Sequence, residues 1–352
     1  MLDFEVKSII HNYKVFFVDD SVKSLKNEID VGDVVIIDKK INKLYPLLTK
    51  NIDDDSIIII KAEEKNKSYK GLIPLITKLV EKGFRKNNKL IGIGGGITQD
   101  ITAFISSIMY RGVNWIFFPT TLLSQGDSCI GSKTSINFDN YKNQIGGFYP
   151  PNKIFLDLNF LNSLSYEDQQ SGLGEMSHYF VIAGEEAFLE YKMKYKDALK
   201  SKDIMTELLL KSLMIKKKYI EIDEFDQQER QVFNYGHSFG HAIESLTNYK
   251  IPHGIAVSFG MDIANYISVK MNLLNSETRI EIRELLKEIW DGFNIEKKDI
   301  NKFCNALAKD KKNVGSELRL ILCKGYGEVF KAPVKNDEKL KNWIAEYFKN
   351  EL

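Results

Sequence analysis

Short runs of branched and aromatic residues, spaced by segments of helical period, fill the first half of the chain. Val15-Phe-Phe-Val18, Asp33-Val-Val-Ile-Ile-Asp38, Ser56-Ile-Ile-Ile-Ile60, Leu90-Ile-Gly-Ile93 and Trp115-Ile-Phe-Phe118 are nearly unbroken apolar runs and read as buried strands. Between them, Lys70 to Lys86 and Thr98 to Met109 read as helices. That alternation predicts a largely parallel sheet with crossover helices. From about Asn159 the texture changes to long helical periods. Helices are predicted over Ser165–Ala183, Glu185–Lys200, Ile204–Ile222, Gly236–Thr247, His253–Met271, Ser276–Asp291 and Asn301–Lys309. Leu318-Arg-Leu-Ile-Leu322 predicts a late strand, and Glu338–Lys349 a closing helix. No repeat, low-complexity tract or flexible linker interrupts this pattern. Two domains follow, residues 1–158 as α/β and residues 159–352 as mostly α, with a cleft expected between them.

Bulk properties narrow the picture only slightly. At 352 residues the chain can bury an ample core, and its 43% hydrophobic and 28% charged content is that of a soluble globular protein. A formal net charge of +1 supplies no field for nucleic acid. The three cysteines, Cys129, Cys304 and Cys323, are far apart and odd in number, which points away from a disulfide framework. Met1-Leu-Asp-Phe-Glu-Val-Lys has no signal-peptide pattern, and the most apolar stretch, Phe104 to Leu123, contains Arg111, Asn114 and Pro119. The expectation is a cytoplasmic protein with no membrane partner.

Histidine placement changes the picture more. Four of the five histidines fall between His178 and His253, three of them in Asn234-Tyr-Gly-His-Ser-Phe-Gly-His-Ala-Ile-Glu244 and the following His253-Gly254. His237 and His241 are four apart and share a helical face, as do Glu175 and His178, three apart. A carboxylate and imidazoles arriving from separate helices are how a catalytic divalent metal is held with one position open. Spacing alone leaves both His237 and His241 as candidate ligands.

Two further stretches carry chemistry. Gly92-Ile-Gly-Gly-Gly-Ile-Thr98 follows a strand and opens a helix, with Asp100 beyond it, so its backbone can approach a phosphate. It departs from G-x-G-x-x-G, because Ile97 stands where the third glycine would be. Pro119-Thr-Thr-Leu-Leu-Ser-Gln-Gly-Asp127, Ser132-Lys133-Thr134, Lys142-Asn143 and Gly146-Gly147 read as a loop-rich segment suited to a polyhydroxylated phosphate ester.

Taken together, Gly94-Gly-Gly-Ile-Thr-Gln-Asp100, Met109-Tyr-Arg-Gly112, Pro119-Thr-Thr-Leu-Leu-Ser124, Gly146-Gly-Phe-Tyr-Pro-Pro151, Gly174-Glu175 and the histidine stretch are similar to the sugar phosphate cyclases, and within them to the 3-dehydroquinate synthases. The resemblance runs from about Gly94 to Met261. It implies an N-terminal Rossmann-like NAD-binding domain and a C-terminal, mostly helical metal-binding domain. It implies zinc or cobalt on Glu175, His237 and His253, with His241 handling protons or contacting phosphate instead of ligating. NAD is implied on Gly95, Gly96, Asp100, Thr120, Thr121 and Leu123, with Asp38 on the adenosine ribose and Glu64 and Lys67 on the adenosine side. Asp127, Lys133, Lys142, Asn143, Lys216, Arg230 and Asn234 match catalytic and substrate-contacting positions, Lys142 being counted with the cofactor as well. Lys311 or Lys312 matches another. Arg111 matches a residue reaching into a partner subunit, so a homodimer is implied. Taken singly, Lys67 and Lys312 read equally well as solvated surface charges.

The activity implied is a phosphate-eliminating lyase that closes a seven-carbon ketose phosphate into a carbocycle, as 3-dehydroquinate synthase does in the shikimate pathway. Three departures stand out. His178 replaces the lysine of Glu-x-x-Lys; Ile255 replaces the glutamate of His-Gly-Glu, removing a carboxylate behind the ligand; and Gly-Gly-Lys-Thr-Gly reads Gly131-Ser132-Lys133-Thr134-Ser135. Alternatives are a cyclase for another substrate, such as sedoheptulose 7-phosphate in secondary metabolism or surface polysaccharide synthesis, a metal-dependent NAD polyol dehydrogenase, and an inactive binding protein.

Overall fold

The computed structural model describes residues 2–139, 141–295, 299–308 and 317–352. Two units divide the chain: Met1–Leu164 with Lys216–Phe225, and Ser165–Ile215 with Asp226–Leu352.

In the first unit the strands are β1 (Phe4–Val6), β2 (Tyr13–Phe17), β3 (Val34–Asp38), β4 (Ile57–Ile60), β5 (Leu90–Gly94), β6 (Trp115–Pro119), β7 (Lys133–Phe138), β8 (Tyr141–Phe148) and β9 (Lys153–Leu156). The helices are α1 (Ser21–Glu28), α2 (Lys39–Leu44), α3 (Tyr69–Glu81) and α4 (Gly96–Ile108). A seven-stranded sheet has the order β1-β2-β9-β6-β5-β3-β4, parallel throughout except for β1 on β2. Strands covered on both faces need apolar residues at every position, which is why β3 and β5 read so plainly in the sequence. Val35, Ile37, Ile91, Ile93, Ile116, Phe118 and Phe155 face Leu25, Ile41, Leu48 and Phe160 on one side. On the other side α4 lies close, since a side chain at Gly92 would meet Thr102 at 2.9 Å. Each such buried Leu, Ile or Phe contributes roughly 1.5–3 kcal/mol.

In the second unit the helices are α5 (Tyr166–Ala183), α6 (Glu185–Ala198), α7 (Lys202–Ile222), whose last turns belong to the first unit, α8 (His237–Leu246), α9 (His253–Lys270), α10 (Ser276–Ile289), α11 (Ile300–Ala308) and α12 (Glu338–Asn350). Ser165, Asn275 and Asp337 cap α5, α10 and α12 by accepting from first-turn amides. An antiparallel hairpin, β10 (Glu317–Cys323) with β11 (Val329–Lys335), completes the unit. Among the described residues no helix is long and apolar enough to cross a membrane.

The structure corrects several local expectations. The segment read as loop-rich between Ser132 and Gly147 is largely the antiparallel pair β7–β8. Its polar positions face outward on β8, so pairing, not hydrophobicity, makes the strand. The helix expected to reach Lys86 stops at Glu81, two residues before Gly83 at φ +72°. Strands β1, β9 and β11 and helices α1 and α2 went unread, being short or poor in apolar residues.

Candidate active site

Three helices of the second unit bring their functional residues together at glycines. Gly174 precedes Glu175 on α5, Gly236 precedes His237 at the start of α8, and Gly254 follows His253 at the start of α9. A Cβ added at Gly254 would lie 1.8 Å from the Ser171 carbonyl oxygen and 2.9 Å from Glu175 N. One added at Gly174 would lie 2.4 Å from the Gly254 carbonyl oxygen. The backbones of α5 and α9 therefore touch where the two ligand candidates sit. Gly236, at φ +81°, turns the chain so that α8 begins with His237, in a conformation that L side chains adopt at a cost.

The resulting cluster is tight. Glu175, 2% exposed, has Oε1 3.2 Å from His237 Nε2 and Oε2 3.5 Å from His253 Nε2. His237 Nδ1 lies 3.2 Å from the Tyr235 carbonyl, and His253 Nδ1 lies 3.3 Å from Glu244 Oε2. Burial works against ionisation of Glu175, yet the imidazoles of His237, His253 and His178 hold its carboxyl well below the usual carboxylate range. The His237 ring is 5.5 Å from that of His178, 5.9 Å from that of His241 and 5.5 Å from that of His253. His178 is buried beside Tyr179 and Phe233, whereas His241 is exposed.

The donor set fits a divalent metal. One carboxylate and two imidazoles offer ligand atoms within 4.8 Å of one another, and buried Glu175 Oε2 makes no hydrogen bond. A buried carboxylate oxygen left without a donor is costly, and a cation satisfies it. Arg230 and Asn234 come from the turn Glu229–Asn234 leading into α8; Arg230 is buried, and Asn234 Nδ2 donates to the Gln231 carbonyl at 3.0 Å.

In the first unit the glycine run ends β5 and starts α4, with Gly95 as the N-cap. Gly94 is held close to Thr98, Gly95 close to Thr121, and a Cβ at Gly96 would meet nothing within 4 Å. That opening at a helix N-terminus fits a dinucleotide diphosphate. Thr120 Oγ1, buried and without a hydrogen-bond partner, is a further polar atom suited to a ligand. Thr121 donates from its amide and its hydroxyl to Ser124 Oγ, and Leu123 beside them is half-buried.

Asp38 ends β3 and caps α2, accepting from Lys40 N at 3.3 Å. Lys67 is buried, correcting its reading as a solvated charge: its Nζ lies 2.6 Å from Asp100 Oδ2 and 4.0 Å from Glu64 Oε1. Asn137 donates to Glu64 Oε1 at 2.8 Å and accepts from Asn143 N at 2.9 Å, linking two proposed ligand residues that the sequence left unconnected.

Asp127 lies in a π-helical turn, where Lys216 Nζ reaches both its carbonyl and its Oδ1 at 2.7 Å. Cys129 beside it is no nucleophile, because burial pushes its thiol up to about 12. Lys133 and Asn143 are exposed on β7 and β8, and Lys142 is half-buried. Arg111 is exposed in a turn where Tyr110, Arg111 and Gly112 all have positive φ. Lys311 and Lys312 lie outside the described residues.

Comparison with known proteins agrees with this geometry. Residues 57–171 match the 3-dehydroquinate synthase N-terminal family, and residues 172–313 match the 3-dehydroquinate synthase C-terminal family. The chain is 38% identical to the 3-dehydroquinate synthase of Dictyoglomus turgidum over 79% of each protein. It is 34% identical to that of Pelagibacter ubique, over 100% of this chain and 99% of the relative. A solved 2-deoxy-scyllo-inosose synthase, complexed with carbaglucose-6-phosphate, NAD+ and Co2+, shares the fold at a TM-score of 0.86 and 22% identity, covering 98% of this chain and 99% of that one. An iron-containing alcohol dehydrogenase matches less well, at a TM-score of 0.60 and 17% identity over 96% and 98%. With both halves matched and relatives of this identity spanning nearly the whole chain, the protein belongs to the 3-dehydroquinate synthase family.

Proposed function

We propose that the chain is a 3-dehydroquinate synthase, a carbon–oxygen lyase that converts 3-deoxy-arabino-heptulosonate 7-phosphate to 3-dehydroquinate with loss of phosphate and no net redox change. The observation that carries the reading is the Glu175–His237–His253 cluster in a chain of this family, with a buried carboxylate oxygen lacking a donor. When bound, NAD supplies a reversible hydride acceptor and a zinc or cobalt ion supplies a Lewis acid for a substrate oxygen.

The chain's own residues supply binding, orientation and proton handling. Glu175, His237 and His253 hold the ion. Asp38, Glu64, Lys67, Gly95, Gly96, Asp100, Thr120, Thr121, Leu123 and Lys142 hold the dinucleotide, Lys67 being steadied by Asp100. In the first unit Asp127, Lys133, Asn143 and Lys216 are the proposed substrate contacts, with Lys216 keeping Asp127 in one orientation. In the second unit Arg230 presents a guanidinium suited to a bidentate grip on a carboxylate, alongside Asn234 and His178. The His241 imidazole, exposed and 5.6 Å from the His253 ring, accepts and returns a proton at a ring nitrogen. Holding a flexible intermediate in one geometry supplies much of the acceleration. The reading assigns NAD to a domain at 1–158 and the metal to a domain at 159–352, of which Lys216–Phe225 pack with the first unit. It also includes a cytoplasmic homodimer in which Arg111 serves the partner, working in the shikimate pathway.

The test is phosphate release from 3-deoxy-arabino-heptulosonate 7-phosphate by protein supplied with NAD and zinc or cobalt. Release is expected. No release there, but release from sedoheptulose 7-phosphate, would replace the reading with a cyclase of different substrate.

A further inference from the structure

We propose that Glu244 is the positioning residue of His253, an inference that rests on the metal reading above. His253 is the first residue of α9, and its half-buried ring lies between two carboxylates: Nε2 is 3.5 Å from Glu175 Oε2, and Nδ1 is 3.3 Å from Glu244 Oε2. A neutral imidazole carries its hydrogen on one nitrogen only. A carboxylate facing Nδ1 draws the hydrogen there, which leaves the Nε2 lone pair facing Glu175 and fixes the ring plane.

Glu244 is well placed for this duty. It is 7% exposed, and it stands seven residues after His237 and three after His241, so α8 carries all three on one face. The position where the family resemblance expects a glutamate is Ile255, which is 0% exposed within α9. An isoleucine supplies no carboxylate at that place, whereas Glu244 Oε2 lies 3.3 Å from His253 Nδ1. The carboxylate behind the ligand therefore comes from α8. A rival arrangement is also present, because His241, Glu244 and His253 offer ligand atoms within 4.8 Å of one another. It would have to share His253 with the first cluster and use an exposed histidine, so a hydrogen bond from Nδ1 to Glu244 is the simpler use of that carboxylate.

The experiment is a Co2+ titration of the metal-free full chain, followed by cobalt absorption, for the wild type, Glu244→Gln, Glu244→Ala and Glu175→Ala. Urea unfolding of each metal-free variant is measured alongside. One Co2+ per chain is expected for the wild type and none for Glu175→Ala. Glu244→Ala is expected to weaken binding by about 10–100-fold. Glu244→Gln, which keeps an acceptor but loses the charge, falls between them with an unchanged urea midpoint and an altered cobalt spectrum. If Glu244→Ala does not fold, the Gln variant decides: affinity and spectrum equal to wild type overturn the proposal. A second Co2+ that disappears in Glu244→Ala while the first binds normally also overturns it, in favour of a separate cation site. A wild type that binds no Co2+ removes the metal reading itself, and this inference with it.

Discussion

Gly254→Ala tests whether backbone contact between α5 and α9 sets the geometry of the cluster. The added Cβ would lie 1.8 Å from the Ser171 carbonyl oxygen, where ordinary contact begins at 3.4 Å, a shortfall of about 1.6 Å. Neither partner can swing aside, since the obstacles are the backbone of Ser171 and the amide of Glu175, 2.9 Å away. Relief must come from separating the helices, which carry Glu175 and His253. Ligand distances in metal sites fall within about 0.2 Å of their standard values, so separating the helices by even a third of that shortfall takes Glu175 and His253 outside that range. Overpacking of a rigid contact costs about 3 kcal/mol, the upper end of its usual range. The expected outcome is a urea midpoint lowered accordingly and Co2+ affinity reduced at least 100-fold, about 2.7 kcal/mol. Gly96→Ala is the control for glycine substitution as such, because its Cβ meets nothing and the fold should keep its stability. A Gly254→Ala protein that folds and binds Co2+ within about twofold of wild type would show that the α5–α9 contact does not set the geometry of the cluster.

Further predictions follow from single contacts. Glu175→Ala should leave no metal bound after dialysis, read by elemental analysis; full occupancy would show that the ligands are assigned wrongly. Lys216→Met removes both contacts to Asp127 from a lysine only 8% exposed, and should cost about 2 kcal/mol of stability in urea, a discounted value for a partly exposed partner. An unchanged midpoint would mean that the pair does not hold Asp127. Lys67→Met should weaken NAD binding about tenfold in fluorescence titration, one charge-assisted hydrogen bond being lost. Equal affinity would return Lys67 to a structural role. Ser132→Gly should stabilise the protein by about 1 kcal/mol, because Ser132 holds φ +51° and buries a hydroxyl with no partner; a lower midpoint would contradict this.

The parallel sheet was legible because its inner strands are covered on both faces, so that Val34–Asp38 and Leu90–Gly94 have no polar alternation to misread. The β7–β8 hairpin was not, since its strands are defined by mutual pairing between residues such as Ser135 and Gly146. Helical spacing placed His237 with His241 and Glu175 with His178, but a period within one helix says nothing of which helices meet. The meeting was encoded in Gly174, Gly236 and Gly254, whose missing side chains let α5, α8 and α9 touch. Lys67 read equally well as a surface charge because its partner Asp100 lies 33 residues away. Glu244 went unassigned although it shares a face with His237 and His241, since its partner His253 sits on another helix.

The most direct test of the account is a product analysis of 3-deoxy-arabino-heptulosonate 7-phosphate turned over with NAD and cobalt, with phosphate, nicotinamide absorbance and NMR recorded on one sample. Phosphate and 3-dehydroquinate appearing one-to-one, with no build-up of NADH, is the predicted result. Accumulating NADH without phosphate release would contradict it and make the protein a dehydrogenase.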